Sequence, residues 1–187
     1  MKDITTKRLR LRELQQKDMQ AIHEYSSDPE VTRYMNWGPN TEQDTVTFVQ
    51  KSIASQSEHP RTNYTFAVIL KSENRLIGSC GIYLSNLGQR EGFIGYVFSK
   101  GSWGKGFASE TAATLVKFGF NELEFHRIFA TCNPENVVSA RVLEKIGMQK
   151  EGYLRQNYWV RGKWRDSLLY AILENDPQTR MDSSSIL

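Results

Sequence analysis

A glycine-bearing loop between an apolar strand and a helix has the clearest chemical capability in this chain. Gly104 and Gly106 lie in this loop, after the apolar segment 93–98 and before a run with helical periodicity that starts at Ala108. The first amide groups of a helix have no intrahelical partner, and the helix dipole adds partial positive charge there. Glycines leave room for a ligand to approach these amides. The loop is therefore predicted to bind phosphate, and a cofactor that carries a diphosphate is the first hypothesis.

Two familiar phosphate-binding motifs do not fit this loop. A P-loop requires Ser or Thr after its Gly-Lys pair, and Lys105 is followed by Gly106. A Rossmann fingerprint has three glycines and lies in the first strand–helix–strand unit, whereas this loop has two and follows three strands. A glycine-rich turn without a ligand is the alternative that the loop alone leaves open.

The other reactive residues indicate no metal site. Cys80 and Cys132 each lie in an apolar, strand-like run, so we expect two buried thiols rather than a disulfide. The three histidines are scattered, and neither they nor the cysteines have the spacing of metal ligands.

Size and composition indicate one globular domain, expected over residues 1–175, with a weakly ordered tail at 176–187. Hydrophobic residues make up 39% of the chain and charged residues 24%, as in ordinary globular proteins. No apolar run approaches the roughly 20 residues of a membrane helix, and the N-terminus has no signal-peptide core. A cytoplasmic protein without a membrane partner is therefore expected. The net charge of +3 is too small to indicate direct binding of nucleic acid.

Hydrophobic periodicity predicts the elements that position the loop. The first half contains a strand at 8–13, a helix from Asp18 that ends at Asp28-Pro29, and a helix capped by Thr41. Three further strands form an antiparallel meander, at 65–70, 76–84 and 93–98.

The second half alternates helices and strands. After the loop come a helix to about residue 121, a strand at 127–132, a helix capped by Asn136, and a hairpin that turns at Arg161-Gly162. The apolar segment 168–173 indicates a central last strand. This order predicts an α/β (α+β) fold: one mixed, mostly antiparallel sheet of about seven strands with helices on both faces. The passage from 93 to 132 is expected to be a parallel crossover.

Five segments, in the right order, resemble the GNAT superfamily of acetyl-CoA-dependent N-acetyltransferases. They are similar to its branch of ribosomal-protein alanine and serine N-acetyltransferases. One segment is the loop itself, Trp103-Gly-Lys-Gly-Phe-Ala-Ser-Glu110. The others lie at 6–13 with 28–34, at 126–139, at 143–152 and at 161–166. The resemblance implies a GNAT-like acyl-CoA N-acyltransferase fold.

The resemblance also implies acetyl-CoA as co-substrate, without a metal. The amides of the loop would wrap the pyrophosphate, and the pantetheine arm would lie along the preceding strand, where that strand and 127–132 splay apart. Asn136 would hold the pantetheine. Trp103 stands where the superfamily often has Gln or Arg, and we expect it to pack rather than to do chemistry. The residues implied to bind the cofactor are Tyr96, Val97, Phe98, Trp103, Gly104, Lys105, Gly106, Phe107, Ala108, Ser109, Asn136 and Ser139.

Acetyl transfer requires a neutral amine, a donor for the oxyanion and a proton donor for the leaving thiolate. Many superfamily members have a Tyr seven residues after the Asn that matches Asn136, and here that position is Leu143. The branch implies instead that Ser139 hydrogen-bonds the thiol. Helix capping by Asn136 and Ser139 is the alternative for both residues.

Three candidates remain for the base that deprotonates the amine: Glu91, Tyr158 and a water molecule. Glu91 has the alternative of a solvated turn residue, and Tyr158 that of sheet packing. Asp166 is expected to pair with a basic neighbour on its hairpin: Arg161, Lys163 or Arg165. Three further basic residues either contact the adenosine phosphates or face solvent, namely Arg127, Arg141 and Lys145.

The acceptor site is expected to involve Tyr34, Trp37 and the segment between the first two helices. Because no cluster of carboxylates suits a polycation, a protein N-terminal α-amine, such as that of a ribosomal protein, is favoured as the acceptor. A small-molecule or antibiotic amine is the alternative, and the missing Tyr leaves open a non-catalytic acyl-CoA sensor. A structural partner of the ribosome is a weaker hypothesis, and a homodimer is left open.

Overall fold

The computed structural model describes residues 1–177 and contains one sheet with helices on both faces. Most of the predicted tail, residues 178–187, lies outside the described residues. None of the helices in the described range combines the length and hydropathy that crossing a bilayer requires. The α-helices are α1 (Met19–Ser26), α2 (Pro29–Thr32), α3 (Glu42–Ala54), α4 (Phe107–Asn121) and α5 (Val137–Lys145). The strands are β1 (Ile4–Thr5), β2 (Leu9–Glu13), β3 (Asn63–Leu70), β4 (Arg75–Asn86), β5 (Glu91–Phe98), β6 (Arg127–Cys132), β7 (Gln149–Val160) and β8 (Lys163–Leu173).

The eight strands have the order β1-β2-β3-β4-β5-β6-β8-β7. Neighbouring strands are antiparallel except β5 and β6, which are parallel and joined through α4. The predicted mixed, mostly antiparallel sheet between helices is confirmed. The strand beyond the expected seven is β1, which has two residues and pairs with β2. The last strand, β8, lies between β6 and β7 as its apolar sequence predicts.

The parallel strands β5 and β6 pair over only part of their length. Their register joins Glu91 with Arg127, Gly92 with Ile128 and Phe93 with Phe129, and it ends there. From residue 94 onward the two strands part, while β6 stays paired with β8 through Cys132. The β6-facing edge of residues 94–98 therefore has backbone groups that the sheet does not use.

Alternate side chains of β5 pack on opposite faces of the sheet. Ile94 and Phe98 lie in a core that includes buried residues of α4 and α5. Val97 lies in a second core, with buried residues of α1 and α3. Tyr96 consequently faces α4 and α5, whereas Gly95 faces α1 and α3.

The first helix ends before its predicted stop at Asp28-Pro29. α1 ends at Ser26, and Asp28 instead caps α2 by accepting a hydrogen bond from an amide of its first turn. Pro29 is the first residue of α2, a position whose N–H would make no hydrogen bond within the helix, so the absence of that N–H in proline costs nothing there. Thr41 and Asn136 cap α3 and α5 as predicted.

Candidate active site

A cavity of about 710 Å³ lies where β5 and β6 part. Its wall includes parts of these two strands, the start of α5, the loop 33–40 and the β7–β8 hairpin, and residues of α1, α3, β3 and β4 complete it. The structure brings together in this wall residues that were predicted separately for the thioester and for the acceptor. They are Tyr34, Trp37, Tyr96, Val97, Asn136, Ser139 and Tyr158.

The predicted phosphate loop lies outside this cavity, after the end of β5. Gly104 and Gly106 have φ angles of 72° and 77°, a left-handed conformation that glycine adopts at little cost. Gly106 is the N-cap of α4, and no side chain caps this helix. The first amides of α4 can therefore donate to a ligand, and the donors fit a diphosphate.

Side chains of the loop fix its shape. The indole Nε1 of Trp103 donates to the carbonyl of Phe98 at 2.9 Å, and Lys105 Nζ donates to the carbonyl of Gly101 at 2.8 Å. The backbone amide of Trp103 also donates, to the carbonyl of Lys100 at 3.2 Å. Of the amides predicted to wrap a pyrophosphate, the one of Trp103 is thus already engaged. The donors left for a ligand begin at Gly104.

An ion pair from the N-terminal segment supports the loop, and the sequence reasoning missed it. Arg8 Nε lies 2.7 Å from Glu110 Oε2 in the first turn of α4, and Arg8 Nη1 donates to the carbonyl of Lys105 at 2.8 Å. Thr6 Oγ1 donates to the same carboxylate at 2.5 Å. A signal was present, because both partners lie in segments that carry the family resemblance, 6–13 and 103–110.

Asn136 caps α5, and both Asn136 and Ser139 line the cavity. The side chain of Asn136 accepts a hydrogen bond from the Ser139 amide at 3.1 Å, so the capping alternative is correct for the backbone. The Ser139 hydroxyl is separate from this contact and lies 3.1 Å from the Tyr96 hydroxyl. Tyr96 was predicted only through its strand backbone, and its side chain is an additional polar group of the site.

Burial controls the protonation of the hydroxyl and thiol groups in the wall. It raises the pKa of Tyr96, and the hydrogen bond with Ser139 offsets only part of that rise. Burial also raises the pKa of Cys132 to about 11 and that of Cys80 further. Both cysteines are buried and free, as predicted. Tyr96 therefore stays a neutral hydroxyl near pH 7, and neither cysteine is a ready nucleophile.

Glu91 does not reach the cavity. It lies where β5 and β6 are still paired, and its carboxylate is 3.3 Å from the guanidinium of Arg127. Arg127 also pairs with Glu151 at 2.5 Å. The structure therefore places Glu91 and Arg127 in one ion-pair cluster beside the paired part of β5 and β6, away from the cavity wall.

Tyr158 and Asp166 both line the cavity from the hairpin. The expected pairing of Asp166 with a basic neighbour is wrong. Its carboxylate accepts hydrogen bonds from the Tyr153 hydroxyl at 2.6 Å and the Gln156 amide at 2.7 Å, where β7 has an irregular register. Asp166 therefore stabilises the hairpin on which Tyr158 is carried.

The cavity has a nearly balanced set of charges. Its wall includes two carboxylates and two cations, namely Asp44, Asp166, Lys51 and Arg165. Asp44 is engaged by the amide and hydroxyl of Thr41 at the start of α3, as Asp166 is within its hairpin. Over residues 1–177, no group of three metal-ligating side chains is present.

A family model described as an acetyltransferase (GNAT) domain matches residues 8–149. The uncharacterized N-acetyltransferase YnaD of Bacillus subtilis is 42% identical over 173 residues, which cover 92% of this chain and 98% of YnaD. The crystal structure of a GNAT-family acetyltransferase from Bacillus anthracis is 42% identical and superposes with a TM-score of 0.82. It covers 94% of this chain and 100% of the other.

The names of two less similar enzymes of known structure state an acceptor. A spermidine N-acetyltransferase from Vibrio cholerae, in complex with CoA and spermine, is 23% identical with a TM-score of 0.77, covering 90% and 96% of the two chains. A ribosomal-protein alanine acetyltransferase from Vibrio fischeri is 22% identical with a TM-score of 0.78, covering 94% and 98%. At these identities the likeness extends to the fold alone.

Proposed function

Because this chain belongs to the GNAT family and is an acetyl-CoA-dependent N-acetyltransferase, we propose that it transfers the acetyl group directly to the α-amine of a protein N-terminus. The proposal has two parts. The first concerns how the chain holds and uses the thioester, and the second concerns the acceptor.

The free edge of β5 is the observation that carries the first part. Residues 94–98 have no pairing with β6, and Tyr96 and Val97 among them line the cavity. They lead to the loop whose amides at the start of α4 have no side-chain cap. An extended pantetheine chain satisfies such an edge as an additional strand would. The backbone of Tyr96, Val97 and Phe98 would bind it, and Asn136 would hold it from the opposite wall.

The loop supplies the donors for the pyrophosphate. In this proposal the amides of Gly104 to Ser109 bind it, with Gly106 leaving the approach to α4 open. Arg8 holds the loop through the Lys105 carbonyl and through Glu110. The partial positive charge at the start of α4 favours the anionic group.

The residues of the wall have separate roles in the proposed transfer. The neutral amine nitrogen attacks the thioester carbonyl carbon, a C–N bond forms and the C–S bond breaks. Backbone N–H groups on the free edge of β5 stabilise the oxyanion. Tyr158 orients the amine, and water accepts the amine's proton. Ser139, hydrogen-bonded with Tyr96, relays a proton to the departing sulfur and regains one from water, so that it ends the step as a neutral hydroxyl.

The charge of the cavity supports a peptide amine over a polyamine. A polycation is best matched by an excess of carboxylates, and the two carboxylates of this wall are offset by Lys51 and Arg165. Aromatic side chains, including Tyr34 and Trp37, surround the remaining space. This mixed, nearly neutral wall suits one amine on a peptide chain.

Mass spectrometry of acceptors incubated with acetyl-CoA tests the proposal. The panel contains peptides with N-terminal Ala or Ser, the same peptides blocked at the N-terminus but carrying a lysine, and spermidine. We expect a mass increase of one acetyl group on the free N-terminal peptides only.

The other outcomes identify the alternatives. Acetylation of spermidine alone contradicts the peptide acceptor and supports a small-molecule enzyme. Tight binding of acetyl-CoA with no transfer to any amine supports the acyl-CoA sensor instead.

A further inference from the structure

The mouth of the cavity is built from two segments far apart in sequence. Loop 33–40 follows α2 and contributes a nearly continuous run of lining residues: Tyr34, Met35, Asn36, Trp37, Gly38 and Asn40. The β7–β8 hairpin contributes Tyr158, Val160 and residues 165–167. A loop without sheet partners needs other contacts to keep one shape.

Arg161, at the tip of the hairpin, binds this loop through its backbone. Its Nε donates to the carbonyl of Gly38 at 2.9 Å, and its Nη2 donates to the carbonyls of Trp37 at 2.9 Å and Thr32 at 2.8 Å. Its Nη1 donates to the carbonyl of Arg33 at 3.4 Å. Thr32 is the last residue of α2 and Arg33 is its C-cap, so the guanidinium adds hydrogen bonds to carbonyls at the end of this helix.

Arg165 makes the same kind of contact on β8. Its Nη1 donates to the carbonyl of Met35 at 2.9 Å, and its Nη2 donates to the carbonyl of Tyr34 at 2.9 Å. Arg165 itself lines the cavity. Together Arg161 and Arg165 bind six backbone carbonyls, which lie in loop 33–40 and at the residue just before it. The side chains of the same loop line the cavity.

We propose that Arg161 and Arg165 are positioning residues that hold loop 33–40 against the hairpin and thereby set the shape of the acceptor site. The inference rests on the proposed function in one respect, namely that this cavity receives the amine. The contacts run through the backbone, so the loop's side chains stay free to face the acceptor.

Arginine is specifically suited to this role. Its planar group has several donors in a fixed fork and bridges carbonyls that lie in different directions. A lysine presents one ammonium group and cannot reach the same set of carbonyls at once. Arg-to-Lys variants therefore keep the charge and remove the fork.

The test uses Arg161→Lys and Arg165→Lys, with Lys163→Gln as a control on the same exposed turn of the hairpin. Hydrogen–deuterium exchange of residues 33–40 reports on the loop, and calorimetry with coenzyme A reports on the cofactor site. Steady-state kinetics with whichever amine of the panel is acetylated reports on the acceptor site. The exchange and the calorimetry need no acceptor, so they separate this inference from the proposed acceptor.

We expect both lysine variants to exchange faster in residues 33–40 and to bind coenzyme A with unchanged Kd. The KM for the amine should rise about 10- to 100-fold, as a small misplacement of a substrate-positioning group does. The Lys163 variant should match the wild type in all three measurements. Unchanged exchange in both lysine variants overturns the proposal, even if no amine is turned over. Faster exchange with an unchanged amine KM overturns the assignment of the loop to the acceptor site.

Discussion

The hydroxyl groups of Tyr96 and Ser139 lie 3.1 Å apart, one on the free part of β5 and the other in the first turn of α5. The contact therefore joins the free part of β5 to the helix that follows β6, across the cavity where the two strands part. Both residues line the cavity. The family's usual Tyr on the helix is replaced by the buried Leu143, and the tyrosine hydroxyl near Ser139 comes from the strand instead.

Removing either hydroxyl should slow turnover more than it weakens cofactor binding. For Ser139→Ala we expect kcat to fall about 100-fold, the lower end of the effect of a positioned proton donor. Tyr96→Phe should lower kcat less than Ser139→Ala does. Because the two hydroxyl groups act as a unit, kcat of the double variant should lie within about threefold of that of Ser139→Ala. Thiol-release kinetics provide kcat, and calorimetry provides the Kd for coenzyme A.

A matched control for this pair lies on the same helix. Val138 is 72% exposed, so Val138→Ala should leave kcat unchanged. Wild-type turnover in Ser139→Ala would show that the hydroxyl is not needed, and that Ser139 contributes only the amide that Asn136 caps.

A side chain at Gly106 should weaken cofactor binding. Gly106→Val places a branched residue at a φ of 77°, which costs about 1–2 kcal/mol or more for an L-residue, and it crowds the open amides of α4. The strain is common to the free and bound protein, so the crowding alone should weaken binding, and we expect the Kd for coenzyme A to rise at least ~10-fold by calorimetry.

Gly101 provides the comparison within the same segment. A Cβ at Gly101 meets no protein atom within 4 Å, so Gly101→Ala should bind coenzyme A normally. Equal affinity of the two variants would contradict the assignment of the loop.

The Arg8–Glu110 contact predicts a stability change in acid. Burial would raise the pKa of Glu110, but hydrogen bonds from Thr6 and Arg8 lower it below its ordinary value of 4.5. A carboxylate with a lowered pKa in the folded state stabilises the fold above its unfolded pKa, and that contribution is lost as pH falls through the folded value. Tm should therefore fall more steeply below about pH 4.5 in the wild type than in Glu110→Gln.

Thermal melts of both proteins from pH 3 to pH 7 measure this difference. The two Tm curves should converge towards pH 3 and separate at neutral pH, where Glu110→Gln is less stable. Curves that stay parallel over the whole range would show that the ionised carboxylate does not support the loop.

Gly95 should control access for the amine without affecting the cofactor. It faces α1 and α3 in the cavity wall, and a Cβ there meets no protein atom within 4 Å, so a side chain would occupy empty space in the cavity. Gly95→Val should lower kcat/KM for the amine at least ~10-fold, with the Kd for coenzyme A within about twofold.

The control for Gly95 is Gly152→Ala, because a Cβ at Gly152 in β7 also meets no protein atom within 4 Å and Gly152 does not line the cavity. It should retain wild-type kinetics. If Gly95→Val instead loses coenzyme A and keeps its amine KM, the acceptor approaches from the other face of the sheet.

Local patterns predicted the elements and the loop well. Period-2 and period-3.6 patterns depend on which neighbours share a face, so they identified strands and helices with small errors at the ends. Asn136 and Thr41 were recognisable as caps because a cap and its amide lie within three residues. Asp28-Pro29 placed the end of the first helix within two residues, but the pair also begins α2, which was not predicted.

The sequence by itself determined the order of strands and helices along the chain, the glycines before α4 and the burial of the two cysteines. Each of these follows from a pattern of residues that lie close together in the sequence. Only the tertiary structure decided the partners of Glu91, of Arg8 and of Arg161. Each of these pairings joins distant segments: Arg8 and Glu110 are 102 residues apart, and Arg161 and Thr32 are 129 apart. Such contacts depend on strand order and register, which place side chains beside partners that no local pattern specifies.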